Sequence, residues 1–331
     1  MSNKYTTILI GNGLGMAIDP EHFKLESGLK HAWDKLEKDQ QDNIKKLITN
    51  GMKLTNEEQL YEHYEAIQAC LTFNRIEDLS KQKWLVPAAK KFPDYFRNFV
   101  ANTAWYFYDY PIEEIQKSKK NLLNNFLDKL TNYVQNNYTH IATLNYDNLI
   151  YGKFRESDIL KKKLTDGFYT NTVGFQPMVF NSRPGYYLHL HGSPLFYTDL
   201  ESNICEQNII NKGSNRNEKN HLREHIILCK TSLKPKLISN SFLLDSYWYF
   251  FTKALRQSKK LVLFGYSGND LHVNKVIEKA KHLQIVIVEY NAKSKTIEDR
   301  RVFWARQLKK PMNYFNEQNL ILLESILEYA F

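Results

Sequence analysis

Apolar and polar positions along the chain follow two different periods. Residues 6–10 (TTILI) form an unbroken apolar, β-branched run that meets a glycine cluster at 11–15 (GNGLG) and passes into a helix-like stretch. From about residue 20 to 136 the apolar residues recur three and four apart, as in 29–48, 60–73 and 121–134, with an aromatic-dense segment at 92–110. That spacing is the helical period. Short apolar runs then return at 139–144, around 167–180 (short strands or a hairpin), and at 186–191, 225–230, 261–264 and 284–288. Helical patterns separate or follow them at 239–257, from 270 to about 282, at 296–308, and in a C-terminal stretch, 321–330.

Runs such as 261–264 (LVLF) and 284–288 (QIVIV) lack polar alternation, which predicts strands buried on both faces. Strands alternating with helices predict a parallel sheet with right-handed crossovers. The expected fold is therefore α/β: a Rossmann-like, doubly wound, mostly parallel sheet in a single domain spanning 1–331. A large helical insertion, 20–136, follows the first strand. The aromatic stretch Trp105-Tyr106-Phe107-Tyr108 has no clean helical stripe and reads as packing against the sheet, with an interaction surface as the alternative.

Composition narrows the class. Of 331 residues, 43% are hydrophobic and 24% charged, enough for a packed core. No run of about 18 apolar residues is present, so no membrane span is expected. The N-terminal apolar run is too short for a signal-peptide core. Cys70, Cys205 and Cys229 form neither a disulfide framework nor a CxxC zinc knuckle, which fits a reducing cytoplasm and predicts no metal. The formal charge of +9 suits anionic partners, dinucleotides included, although Lys is spread through the chain and runs such as 117–120 and 161–163 read as solvated faces. Direct nucleic-acid binding is not expected.

The polar motifs gather at the carboxyl ends of the predicted strands, where α/β sheets place their ligands. Gly11, Asn12 and Gly13 lie where a strand turns into a helix, and glycine there lets backbone amides approach a pyrophosphate. The spacing is GxGxG rather than GxGxxG, and an ordinary turn is the alternative. In 143–147 (TLNYD), Asn145 can hold a carboxamide or a water with one donor and one acceptor. Asp147 either accepts from a ligand amide or closes an Asx turn before the next helix.

His189 and His191 are two apart, so a continuing strand would point both the same way. His191, at the strand end before Gly192, is the candidate general base, and His189 reads as a satisfied core histidine. At 265–270 (GYSGND), Gly265 and Ser267 suit a phosphate or ribose hydroxyl, and Asp270 is either a ligand or a helix N-cap. Glu289 and Asn291 end the last predicted strand, where an acidic side chain suits a ribose diol. No GxSxG elbow and no GxxxxGK[ST] loop is present.

These five strand ends, in this order, resemble the sirtuin-like (silent-information-regulator-two-like) superfamily over residues 5–19, 138–151, 186–195 and 260–291. GNGLG resembles its glycine-rich NAD loop, TLNYD its Asn-x-Asp element and LHLHGS its catalytic-histidine element. GYSGND resembles the phosphate and ribose turn, and VEYN the adenine-side strand end. The two CxxC pairs of the zinc module of protein deacylases are missing. So is their Asp-Phe-Arg clamp, for which Asp19 is the nearest counterpart.

The chain is more similar to bacterial sirtuin-like effectors of antiphage defence. That resemblance implies an NAD+ glycohydrolase releasing nicotinamide and ADP-ribose, and it implies activation by homo-oligomerisation or by a partner sensor or ATPase protein. Asn145, Asp147 and His191 would be catalytic. Gly11, Asn12, Gly13, Asp19, Gly265, Ser267, Asp270, Glu289 and Asn291 would bind NAD. The alternatives are a non-catalytic NAD or ADP-ribose sensor and a DNA-associated subunit of a defence complex.

Overall fold

A computed structural model describes residues 4–47, 87–168, 174–199, 209–214, 221–229, 233–291 and 296–331. Cys70, Cys205 and the predicted helix at 60–73 lie outside them. The fold is α/β. Seven parallel strands form the main sheet: β1 (Tyr5–Ile10), β2 (Thr139–Thr143), β3 (Leu164–Thr165), β4 (Gly185–His189), β8 (Ser258–Phe264), β9 (Gln284–Tyr290) and β10 (Leu320–Leu323). Their order is β10-β9-β8-β1-β2-β4-β3. A small antiparallel sheet carries β5 (Phe196–Asp199) between β6 (Ile209–Lys212) and β7 (His221–Leu222).

The strands are central because both their faces are apolar. Thr6 and Thr7 of β1, neighbours pointing to opposite faces, mark the two helical layers. Thr6 Oγ1 accepts from the Tyr133 hydroxyl of α5 (Lys117–Asn136). Thr7 Oγ1 pairs with Ser258 Oγ, which donates to the Ala254 carbonyl of α9 (Phe242–Gln257). Between these layers Ile8, Leu9, Ile10, Leu261, Leu263 and Phe264 are fully buried.

The long β1-to-β2 connection starts with α1 (Gly13–Ile18), α2 (Leu25–Asp34) and α3 (Lys38–Leu47), and resumes with α4 (Pro87–Tyr108) and α5. Among its described residues these helices are joined by turns and one 3-10 segment, Ile112–Glu114. Its last helix is the crossover itself, for Phe126 of α5 stacks on Phe264 of β8 with ring centroids 4.9 Å apart. The inserted part of 20–136 therefore ends before α5. Trp105 and Phe107 of α4 are buried, in keeping with packing. The remaining helices are α6 (Leu149–Glu156), α7 (Ile159–Lys162), α8 (Lys234–Asn240), α10 (Leu271–Lys279) and α11 (Ile297–Leu308). No helix among the described residues is long and apolar enough to cross a membrane.

Two expectations fail locally. Residues 321–330 are not a helix: Leu320–Leu323 pair in parallel with Ile287–Tyr290 as β10, followed by a single 3-10 turn. The apolar spacing there suits either state, and the open edge of β9 offers backbone partners that a helix would leave unused. Of the run 225–230, the described residues 225–229 make one bridge, Ile226 to Gly192, and no strand. Of the short strands or hairpin expected around 167–180, an antiparallel bridge joins Phe168 and Phe175, residues 169–173 lie outside the described residues, and a 3-10 segment spans Pro177–Asn181.

Candidate active site

Beyond β1 the chain crosses to β2 and β4, whereas β8, β9 and β10 lie on the other side of β1. The chain thus leaves β1 and β8 toward opposite sides of the sheet, and a crevice opens where the strand order reverses. A cleft of about 1380 Å³ occupies that position. Every residue proposed from the sequence as catalytic or cofactor-binding lines it, except Asp19.

Asp19 caps the end of α1. Its Oδ1 accepts the N–H groups of Glu21 and His22, and its Oδ2 faces the Tyr110 hydroxyl at 3.4 Å. It closes a turn and does not line the cleft. The short polar side chain is spent on local backbone donors, as Asp often is after a helix.

The glycine turn has a different job from the expected one. The N–H of Gly11 donates to the Phe264 carbonyl at 2.9 Å and that of Gly13 to the Gly265 carbonyl at 2.8 Å. Neither amide is left for a pyrophosphate. A Cβ on Gly11 or Gly13 would lie 2.6 Å from Gly265 backbone atoms. The glycines let the two turns touch and form the cleft floor, with Gly265 itself at φ +59°. Asn12 donates its side-chain amide to the Phe23 carbonyl at 2.8 Å, tying the floor to the chain entering α2.

At one end of the cleft Asn145 Nδ2 donates to the Gly11 carbonyl at 3.1 Å, bridging the ends of β1 and β2. Asp147 Oδ1 accepts the Leu149 N–H at 3.0 Å, the Asx turn foreseen as an alternative. Its Oδ2 is buried and has no partner. Burial pushes the Asp147 carboxyl up to about 6, against the opposing pull of the Leu149 N–H and the Asn145 side chain. One oxygen therefore builds structure, and the other is a buried acceptor in the wall of a cleft.

Facing them is a cluster that the sequence did not reveal in full. Asp270 is the N-cap of α10, its Oδ1 accepting the His272 and Val273 N–H groups. Its Oδ2 accepts from Lys234 Nζ at 2.6 Å and stands 3.1 Å from His191 Nε2. Lys234 Nζ is 3.3 Å from the same ring nitrogen. Burial and the Lys234 charge push the His191 imidazole below its ordinary value, more than Asp270 and a backbone hydrogen bond at Leu144 raise it. Asp270 is held well below the carboxylate range, because its contacts with His191 and Lys234 outweigh the cost of burial. The site thus combines a neutral imidazole, an ionised carboxylate and an ammonium. Lys234 was missed because nothing local marks a lysine at the start of a short helix, 36 residues before its aspartate.

His189 and His191 do not share an environment. The strand ends at His189, and Gly192, at φ +80°, turns the chain. His189 lies among Tyr151, Tyr187 and Phe196, its ring centroid 5.0 to 5.3 Å from theirs. It is a core histidine as expected but not a satisfied one: neither ring nitrogen has a partner. Burial pushes it down to about 3. Ile227, Leu228 and Cys229, in the run expected as a strand, form cleft wall instead. Tyr146 donates its hydroxyl to the Ile227 carbonyl, and the Ile227 N–H donates to the His191 carbonyl at 2.9 Å.

At the far end Glu289 is not free for a ribose. Arg300 of α11 grips both its oxygens, Nε to Oε1 at 2.7 Å and Nη2 to Oε2 at 2.6 Å. The guanidinium also lies over the Phe303 ring at 4.3 Å. The expected diol acceptor is one half of a bidentate pair that shapes the wall. Asn291 donates its N–H to Leu323 of β10, at the same edge of the cleft. Ser267 is exposed and its Oγ accepts the Asn269 N–H at 3.3 Å. Among the described residues no three His, Cys, Asp or Glu side chains are grouped to hold a metal ion. No family model matches the chain, and no curated protein matches it.

Proposed function

We propose that the cleft binds NAD+ and hydrolyses its nicotinamide N-glycosidic bond, giving nicotinamide and ADP-ribose. The observation that carries this reading is the unpartnered, buried Asp147 Oδ2 in a cleft shared with a neutral His191, at the reversal of strand order. The resemblance of the five strand-end motifs adds the choice of dinucleotide.

The chemistry asks little of an acid. Nicotinamide departs as a neutral molecule, while positive charge builds on the ribose as it does in glycoside cleavage. Asp147, ionised above pH 6, supplies the facing negative charge or accepts from the carboxamide. Asn145, held by the Gly11 carbonyl, orients the ribose or the water. The water adds its oxygen to C1′ and yields a proton to His191. The resulting imidazolium leans on the Asp270 carboxylate 3.1 Å away. Proton acceptance by a positioned base contributes roughly 10²–10⁴-fold. Gly11, Gly13, Gly265 and Ser267 contribute shape under the diphosphate rather than a preformed set of amide donors.

The same resemblance supports a cytoplasmic effector of antiphage defence, working as a homo-oligomer or under a partner sensor or ATPase. The experiment is incubation of the purified chain, alone and with the products of its neighbouring genes, with NAD+, followed by chromatography. Free nicotinamide in equal amount to NAD+ consumed supports hydrolysis. Retention of NAD+ or ADP-ribose without product points to the sensor reading, and neither outcome with any preparation defeats both.

A further inference from the structure

We infer that Lys234 is a positioning residue of this site: clamped on Asp270 and resting against His191, its ammonium keeps Nε2 free of a proton until the substrate delivers one. The inference takes from the proposed function only the choice of His191 as base.

The geometry begins with Asp270. One of its oxygens is spent on the first turn of α10, so the other is the group that both Lys234 and His191 address. A buried carboxylate left alone with an imidazole raises the affinity of that imidazole for a proton, and the two become an ion pair. Lys234 supplies the neutralising charge instead. Its Nζ is 2.6 Å from Oδ2 and 3.3 Å from Nε2, so a proton on Nε2 would bring two cations into contact.

Water does not relieve that contact, since the side chains of Lys234, Asp270 and His191 are 11%, 7% and 14% exposed. The groups acting on His191 come from three elements: Lys234 from α8, Asp270 from the start of α10, and the backbone of Leu144 beyond β2. Only Lys234 among them opposes the proton, and burial acts in the same sense. His272, on α10, feels Asp270 and Lys234 as well. In turnover the proton accepted at Nε2 is shared with Asp270 Oδ2, and Lys234 keeps its own bond to that oxygen.

The test compares Lys234→Met and Lys234→Arg with wild type in full-length protein carrying isotope-labelled histidine. His191→Gln identifies the His191 resonance. In Lys234→Met the titration midpoint of His191 rises by roughly one to three pH units, the range for removing a charge at contact distance. In Lys234→Arg it stays within about half a unit. The acid limb of kcat/KM moves by the same amount. Activity of Lys234→Met accordingly falls on the acid side of the shifted limb and recovers on the alkaline side.

An unmoved midpoint in Lys234→Met overturns the inference. So does a loss of activity equal at every pH, which is what a packing role would give. The magnetic resonance titration needs no substrate. A shifted midpoint in a protein that never cleaves NAD+ therefore supports the lysine–histidine coupling while overturning the hydrolase.

Discussion

Near the end of β4 stand two lysine–aspartate pairs, each beside one of its two histidines. By His189, Asp166 Oδ2 accepts from the Tyr151 hydroxyl at 2.5 Å and from Lys212 Nζ at 2.6 Å, and Oδ1 accepts the Phe168 N–H at 3.1 Å. The Asp166 carbonyl takes the Tyr247 hydroxyl at 2.8 Å. Burial opposes the charge of Asp166, but Lys212 and these donors hold it ionised. By His191, Asp270 carries a similar load, yet its lysine and its histidine both line the cleft beside an unpartnered Asp147 oxygen. Residue type does not separate the two clusters. Placement does: Lys212 lies over the Tyr151 and Phe168 rings away from the cleft, whereas Lys234, Asp270 and His191 line it at the reversal of strand order. A saturated cluster pins loops together. The same groups in a cleft wall, with one acceptor left over, are equipped for a ligand.

The sharpest way to break this comparison is at the two histidines. His191→Ala should lower kcat/KM for NAD+ cleavage roughly 10²–10⁴-fold with an unchanged melting temperature. Asn145→Ala should fall in the same range. Wild-type turnover in either variant would remove that residue from the mechanism.

At the closed cluster the large effect should be on stability. Asp166→Ala takes the carboxylate away from Lys212 and the Tyr151 hydroxyl, and breaking a buried pair costs about 3–5 kcal/mol. Urea unfolding reads that loss. A change below about 1 kcal/mol would mean the cluster is not the clasp described.

Asp147 sharpens the open side. Its folded-state carboxyl is raised from 3.8 to about 6. The folded protein therefore holds a proton that the unfolded chain has released. The stability this confers is whole below pH 3.8 and is lost as the pH rises through about 6. Asp147→Asn should match wild type in stability near pH 4, exceed it at pH 7 by about 1–3 kcal/mol, and cleave NAD+ poorly. Equal stability of the two at both pH values would show that the carboxylate is not desolvated.

The smallest effect belongs to His189. His189→Phe removes two ring nitrogens without partners and keeps an aromatic ring among aromatic rings. Stability at pH 7 should stay level or rise by about 1 kcal/mol, with unchanged NAD+ cleavage. The gain should widen below pH 6.5, where the unfolded chain protonates a histidine that the fold holds neutral down to about 3.

Much of the architecture was legible in the chain. Unbroken runs such as LVLF and QIVIV specify buried strands because apolar surface must leave water on both faces, and turn chemistry at their ends specifies where loops collect. Hence the parallel sheet could be read from the chain, and eleven of the twelve residues proposed from it line the cleft. The misreadings were of short or local signals. Leu320–Leu323 carries no period that distinguishes strand from helix, and the exposed edge of β9 made the choice. Asp19 has the right residue type at the right distance from the glycines, but its oxygens went to the nearest backbone donors.

By itself the sequence determined which segments are buried strands, where their polar ends fall, and that those ends carry carboxamide, carboxylate and imidazole. Only tertiary structure decided which groups are already spoken for. Gly11 and Gly13 serve a close approach to Gly265, Glu289 belongs to Arg300, and Lys234 reaches Asp270 and His191 from another helix. The physical reason is range. Burial and turn preference act within a few residues along the chain, whereas hydrogen-bond partners and charges act through space, between groups the chain brings together only once folded.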